Sequence, residues 1–247
     1  MAAVTAAASS LTVTVLGCSG SFPGPGSACS GYLVQGAGAT LWLDAGSGTM
    51  ANLQRHVDLD QVDAVVLSHE HPDHWSDVEG YRVALAYAIE RSGFPVYAPE
   101  GVRRLLSTDP GPTFDWRTVS DGDQVEVGGL RLRFSRTDHP PETLAVRIDG
   151  DGRSLGYSAD TGRGWSFEAL GAGIDLALCE ATYVGESDVP GHLTAAEAAT
   201  MAAQCRVGHL VLTHLFPTVD PERTRAEAEA AYGGPVDVAR LHEEYQV

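Results

Sequence analysis

The stretch Ser68-His69-Glu70-His71-Pro72-Asp73-His74 limits what this chain can become more than any other. It follows the apolar run Val62-Asp63-Ala64-Val65-Val66-Leu67, which predicts a buried strand over residues 60–67. A strand that ends in His-x-His-x-Asp-His delivers three imidazoles and a carboxylate into one loop. Few purposes other than metal binding need that grouping. Neutral imidazole and ionised carboxylate suit zinc, manganese or iron. Ser68, next to the ligands, reads as a support for the loop rather than a nucleophile.

The rest of the chain must supply the partners of this loop. Short β-branched or apolar runs predict strands over residues 11–16, 31–35, 40–44 and 96–98, and then over 124–127, 130–136, 144–148 and 154–158. Further strands are predicted over 174–179, 209–213 and 236–239. Helices are expected over 49–56, 76–91 and 194–204, with one beginning at 102–106. Thr194 and Glu197 form a capping-box pattern. Asp220-Pro221 opens a last helix that Gly233-Gly234 ends. Strands thus come in two batches, each followed by helices. That pattern predicts an α/β (α+β) chain with two mixed sheets and helices outside. One domain over residues 11–247 is expected, preceded by an Ala-rich flexible tail over 1–10.

Three distant residues stand where a ligand could reach the loop. His139 follows the strand over 130–136, Asp160 follows 154–158, and His214 follows 209–213. Loops at one edge of stacked sheets can meet at a point. Their shared placement makes His139, Asp160 and His214 candidate ligands beside His69, His71, Asp73 and His74. His56, His209 and His242 lack that setting and read as structural.

Composition narrows the partners. The formal net charge is −17, which argues against long nucleic acid as a partner, because phosphate contacts draw on Lys and Arg. A small nucleotide is still compatible, since bound dications reverse the local field. Cys18, Cys29, Cys179 and Cys205 form no CxxC and no disulfide framework, which points to a reducing, cytoplasmic setting. No apolar run reaches the ~18 residues of a membrane span.

His69-x-His71-x-Asp73-His74, then His139, Asp160 and His214, resembles the metallo-β-lactamase superfamily along nearly the whole chain. The resemblance implies a four-layered αβ/βα sandwich with two divalent metal ions, zinc by default, at the edge of the sheets. It places His69, His71 and His139 on one metal and Asp73, His74 and His214 on the other, with Asp160 bridging. Two such ions ~3.5–4 Å apart can share a water and turn it into hydroxide at neutral pH. Asp73 would orient that hydroxide.

Three further stretches resemble the ribonuclease Z branch: Leu16-Gly17-Cys18-Ser19-Gly20-Ser21, Leu178-Cys179-Glu180-Ala181-Thr182 and Gly191-His192-Leu193-Thr194. Cys179 and Leu193 depart from the residues usual there. The resemblance makes His192 the general acid toward the leaving oxygen and Glu180 the residue that orients it; a helix-entry role is the competing reading for His192. Ribonuclease Z enzymes carry a long tRNA-gripping arm, in many between the counterparts of His139 and Asp160. Here only 20 residues lie between these two positions. An armless chain of this length resembles the bacterial cyclic-nucleotide phosphodiesterases of this fold. The expected function is therefore a dimetal phosphodiesterase that attacks a small phosphodiester such as 3′,5′-cyclic AMP with metal-bound hydroxide. A ribonuclease Z-like tRNA 3′ endonuclease, an ester or lactone hydrolase, and a non-catalytic metal-dependent sensor are the alternatives. A homodimer is implied by the ribonuclease Z resemblance. Phe22 and Trp75 are aromatic side chains that could face a base, although lone aromatics near a loop are more often packing residues.

Overall fold

The structure, a computed structural model, describes residues 10–106 and 111–247. The tail expected over residues 1–10 lies outside the described residues, apart from Ser10.

Two seven-stranded mixed sheets are built in the same way. In the first, β1 (Thr12–Gly17), β2 (Gly31–Gly36) and β3 (Ala39–Ala45) are antiparallel. β4 (Ala64–Val66), β5 (Phe94–Ala98) and β6 (Phe114–Thr118) then add in parallel to β3. In the second, β7 (Gln124–Val127), β8 (Leu130–Arg136), β9 (Leu144–Gly150) and β10 (Arg153–Tyr157) are antiparallel. β11 (Leu176–Glu180), β12 (His209–Thr213) and β13 (Asp237–Val238) continue in parallel. The chain returns as β14 (Glu244–Gln246), which pairs antiparallel with β1.

Alternation along the strands decides what each face meets. Val13, Val15, Leu41 and Leu43 point inward against Phe134, Val146, Leu155 and Leu178, which makes the core between the sheets. Each such fully buried side chain contributes about 1.5–3 kcal/mol. The opposite face of the first sheet, with Leu33, Trp42 and Val65, is covered by α1 (Thr49–Leu53) and α3 (Val78–Ala84) through Leu53, Val78 and Tyr81. The outer face of the second sheet is covered by α5 (Ala195–Gln204) and α6 (Pro221–Tyr232). Ala195, Ala198, Ala199 and Ala202 form the stripe that α5 lays on that sheet. The layers are therefore helix, sheet, sheet, helix, and the expected sandwich is what the chain forms.

Several boundaries differ from the sequence expectations. The strand expected over 60–67 shrinks to β4. Asp58 and Gln61 close a capping box that winds Leu59–Gln61 into a 3-10 turn. The helix expected over 76–91 begins as α3 and relaxes into a π-helical turn at Leu85–Ile89, ending where Glu90 turns left-handed. The motif itself starts a short helix, α2 (Pro72–Trp75), with Pro72 in its first turn. The helix expected to begin at 102–106 starts earlier, as α4 (Glu100–Arg103) behind Pro99. β6 and β14 escaped the sequence reading. Both are short edge strands with mostly exposed side chains, so neither shows an apolar run. Thr194 and Asp220 cap α5 and α6 as their sequence contexts predict, and Gly233 ends α6 in the left-handed region.

Within the first sheet β1, β3 and β4 run the same way; within the second β8, β10, β11 and β12 do. Their C-terminal ends carry every candidate ligand named above. Three of those ends turn through a left-handed non-glycine residue: Asp44, Ala159 and His214, with φ of 54°, 50° and 56°. Each costs of order 1–3 kcal/mol. At each the strand leaves its sheet to bring a side chain into the site.

Candidate metal centre

The seven candidate ligands named from the sequence come together. Donor atoms of His69, His71, His139 and Asp160 lie within 4.8 Å of one another, as do those of Asp73, His74 and His214. His192 falls within the same limit of Asp160 and His214. Asp160 stands between the groups. Its Oδ2 lies 3.5 Å from His69 Nε2 and 3.8 Å from His139 Nε2. Its Oδ1 lies 3.3 Å from both His74 Nε2 and His214 Nε2. Asp73 Oδ2 completes the second group at 3.2 Å from His214 Nε2 and accepts the Ser21 N–H at 2.7 Å.

Proton counting shows which ring nitrogen each histidine offers. His139 Nδ1 donates to the Gly191 carbonyl at 2.7 Å, and His74 Nδ1 donates to Asp44 Oδ2 at 2.7 Å. Ser68 Oγ gives its proton to Asp44 Oδ2 (2.8 Å), so it accepts from His69 Nδ1 at 3.0 Å. Thr182 Oγ1 gives its proton to Glu180 Oε2 (2.8 Å), so it accepts from His214 Nδ1 at 2.9 Å. All four imidazoles therefore hold Nδ1–H outward and aim Nε2 at the centre, as ligating histidines do. His71 is reversed: its Nδ1 lies 3.1 Å from both His69 Nε2 and His139 Nε2. Gly191 has φ +79°, and a Cβ there would sit 2.9 Å from His139 Nδ1.

These residues fit a cation. His74 Nε2 and Asp160 Oδ1 are buried and have no hydrogen-bond partner. Two orphaned buried polar atoms 3.3 Å apart are costly unless a third body satisfies both. Charge leads to the same conclusion. Burial would raise the Asp160 carboxyl, yet His214, His74 and His69 hold it well below the usual range. Asp73 is likewise held down, against its burial, by His214 and His74. Burial would depress His74, but the carboxylates of Asp160 and Asp44 raise it well above an ordinary histidine. Cation binding at these nitrogens competes with protons and so weakens in acid.

Ser68 supports the loop as expected, but the main anchor is Asp44, which closes the strand expected over 40–44 and is not among the residues singled out above. Asp44 is fully buried. It accepts Ser68 N–H, Ser68 O–H, His74 Nδ1–H and Tyr157 O–H at 2.7–2.8 Å. The available signal was an acid closing the apolar strand Leu41-Trp42-Leu43, a position its neighbours bury. Asp44→Ala is expected to leave these donors unpaired and to cost about 3–5 kcal/mol of stability. Metal affinity should fall about 10–100-fold with it. Urea unfolding and a competitive chelator titration measure the two effects.

The buried Glu180 meets the half-buried His192 beside the candidate ligands. Glu180 Oε1 lies 3.0 Å from His192 Nδ1 and accepts the Thr161 N–H; Oε2 accepts from Thr182 and Leu193. Burial would depress His192, but this carboxylate raises it. Trp75 takes the packing role given above as the commoner one for such an aromatic. Its indole N–H donates to the Glu70 carbonyl and its ring packs on the outer core of the first sheet, so it braces the motif loop. Phe22 is exposed near the site. His56 pairs with His242, and His209 with Asp237, away from the cluster. All four cysteines are free.

A ring of imidazole and carboxylate donors at one edge of two stacked mixed sheets defines the class of protein. The chain belongs to the beta-lactamase superfamily, whose domain matches residues 23–215. The uncharacterized protein ML1173 of Mycobacterium leprae is 38% identical over 95% of this chain and 88% of its own. The probable metallo-hydrolase YhfI of Bacillus subtilis is 30% identical over 93% of this chain and 97% of its own. The crystal structure of YhfI superposes with a TM-score of 0.89, covering 97% of this chain and 100% of that one. Ribonuclease Z of Methanopyrus kandleri is 28% identical over 90% of this chain and 93% of its own. No helix among the described residues is long and apolar enough to cross a membrane.

Proposed function

We propose that this chain is a dinuclear metal-dependent hydrolase of small phosphodiesters, with 3′,5′-cyclic AMP the first substrate to try. The observation that carries the reading is Asp160, whose two oxygens face two separate groups of donors. His69, His71 and His139 would hold one dication, Asp73, His74 and His214 a second, and Asp160 both. Zinc suits this donor set best, with manganese and iron next. Bound there, the ions supply an activated water and polarise the phosphoryl oxygen.

The chain's own groups do the rest. Asp73 Oδ2 accepts the Ser21 N–H and faces His214 Nε2 across the second group of donors, which leaves the other oxygen to orient the attacking water. His192 has Nδ1 committed to Glu180 and Thr182, so Nε2 is the atom that donates a proton to the leaving oxygen. Glu180 positions that ring and keeps it protonated. A general acid of this kind matters for an alkoxide leaving group. A phosphodiester is favoured because a relative carries the name ribonuclease Z and ribonucleases act on phosphodiesters. A small one is favoured by the net charge of −17 and by the His139–Asp160 interval, which β9 and β10 fill as a hairpin. The same ribonuclease Z likeness favours a tRNA 3′ endonuclease as the second reading. A homodimer in a reducing cytoplasm completes the proposal.

Metal analysis of the purified protein, followed by turnover of cyclic AMP, pre-tRNA and a lactone, tests it. Hydrolysis of the lactone alone would sink the phosphodiesterase reading; pre-tRNA cleavage without cyclic AMP turnover would favour the second. Glu180→Gln gives a pH test. His192 must be protonated to act, so kcat falls as pH rises past its pKa. Glu180 raises that pKa, so its loss is expected to move the alkaline limb of the kcat profile to lower pH. An unmoved limb would separate Glu180 from His192.

A further inference from the structure

We infer that Tyr183, Phe216 and Phe22 form an aromatic wall that binds the planar group carried on the substrate's leaving oxygen, a nucleobase in a nucleotide. The leaving-oxygen assignment rests on the phosphodiesterase reading above; the wall itself rests on ring geometry. His192 lies nearly parallel to His214, with centroids 5.6 Å apart and planes 11° apart. Tyr183 meets His192 edge-on at 6.2 Å. Phe216 lies at 24° to Tyr183, 6.3 Å away, and Phe22 stands perpendicular to Phe216 at 5.2 Å. The rings thus run without a break from the candidate ligand His214, past the proton donor, to the solvent.

Each ring is tied to the site by its neighbours in the chain. Tyr183 follows Thr182, whose Oγ1 contacts both His192 and His214. Phe216 is two residues past His214, and its N–H donates to the Thr182 carbonyl. Phe22 follows Ser21, whose N–H holds Asp73. The backbone that carries each ring is thus anchored next to the donors.

These rings do not belong to the folding cores. Tyr32, Tyr81, Phe94, Phe134 and Phe167 are fully or almost fully buried within the three apolar clusters; Phe22, Phe216 and Tyr183 are in none of them. Phe22 is 45% exposed on a Pro/Gly-rich loop. The perpendicular Phe22–Phe216 pair leaves flat apolar surface at the outer end of the run of rings whose inner end, Tyr183, meets the proton donor. A planar group on the oxygen that His192 protonates would be held next to that surface. Stacking of a base on such a ring is worth about 1–3 kcal/mol and tolerates any base.

The test compares AMP with ribose 5-phosphate, which lacks the base, by calorimetry on the metal-loaded protein. AMP is expected to bind about tenfold more tightly. Phe22→Leu keeps an apolar side chain but removes the flat face; it should reduce that preference by about fivefold or more. Phe22→Trp should restore it. Equal affinities in the unaltered protein, or a preference that Phe22→Leu leaves intact, would overturn the inference. This readout does not depend on turnover. A clear preference for AMP in a protein that hydrolyses no phosphodiester supports the wall and removes the phosphodiesterase reading. Phosphodiester turnover with no preference for the base does the reverse.

Discussion

Asp160→Ala is expected to lose metal and activity together. Its carboxylate is the group shared by both halves of the site, and it is almost completely buried. Removing it leaves the inward nitrogens of His69, His74 and His214 facing one another with less negative charge between them. Loss of a partner outside the ligand ring costs about 10–100-fold in affinity or activity, so loss of the shared carboxylate should exceed about 100-fold in both. Elemental analysis after desalting and turnover of cyclic AMP are the paired measurements. Retention of a full metal complement by Asp160→Ala would refute the bridging role. Asp160→Asn is informative beside it, because the amide preserves volume but presents only one good acceptor.

His192→Ala should behave in the opposite way. Both ions are expected to stay, because His192 is not among the seven residues assigned to hold them. Turnover of a diester with a poor alkoxide leaving group should slow on the order of 10²–10⁴-fold, the usual cost of a lost general acid. An activated aryl leaving group needs no proton and should be much less affected. A normal rate on the poor leaving group would take His192 out of the chemistry and return it to a helix-entry residue before Thr194. A drop of equal size on both substrates, together with lost metal, would make it a ligand instead; its closeness to Asp160 and His214 makes that outcome worth checking. The two substitutions therefore separate holding the ions from using them.

Much of this was legible along the chain. The ligands sit directly after strands, and strand ends are visible where apolar runs stop, as at Leu67, Tyr157 and Thr213. Capping by Thr194 and Asp220 was equally local. The errors fell where local signals were weak or overridden. β6 and β14 present few apolar side chains, and no local signal marked them as strands.

By itself the sequence determined which residues are candidate donors and the edge they share, because residue type and strand periodicity are local properties. Only the tertiary structure decided how the donors are aimed. Asp44 holds His74 from 30 residues away, Thr182 holds His214 from 32, and the Gly191 carbonyl holds His139 from 52. Each of those partners sets which nitrogen carries the proton. Asp160 divides its two oxygens between histidines drawn from both sheets. Such arrangements depend on which atoms pack together when the sheets close, and no spacing along the chain encodes that.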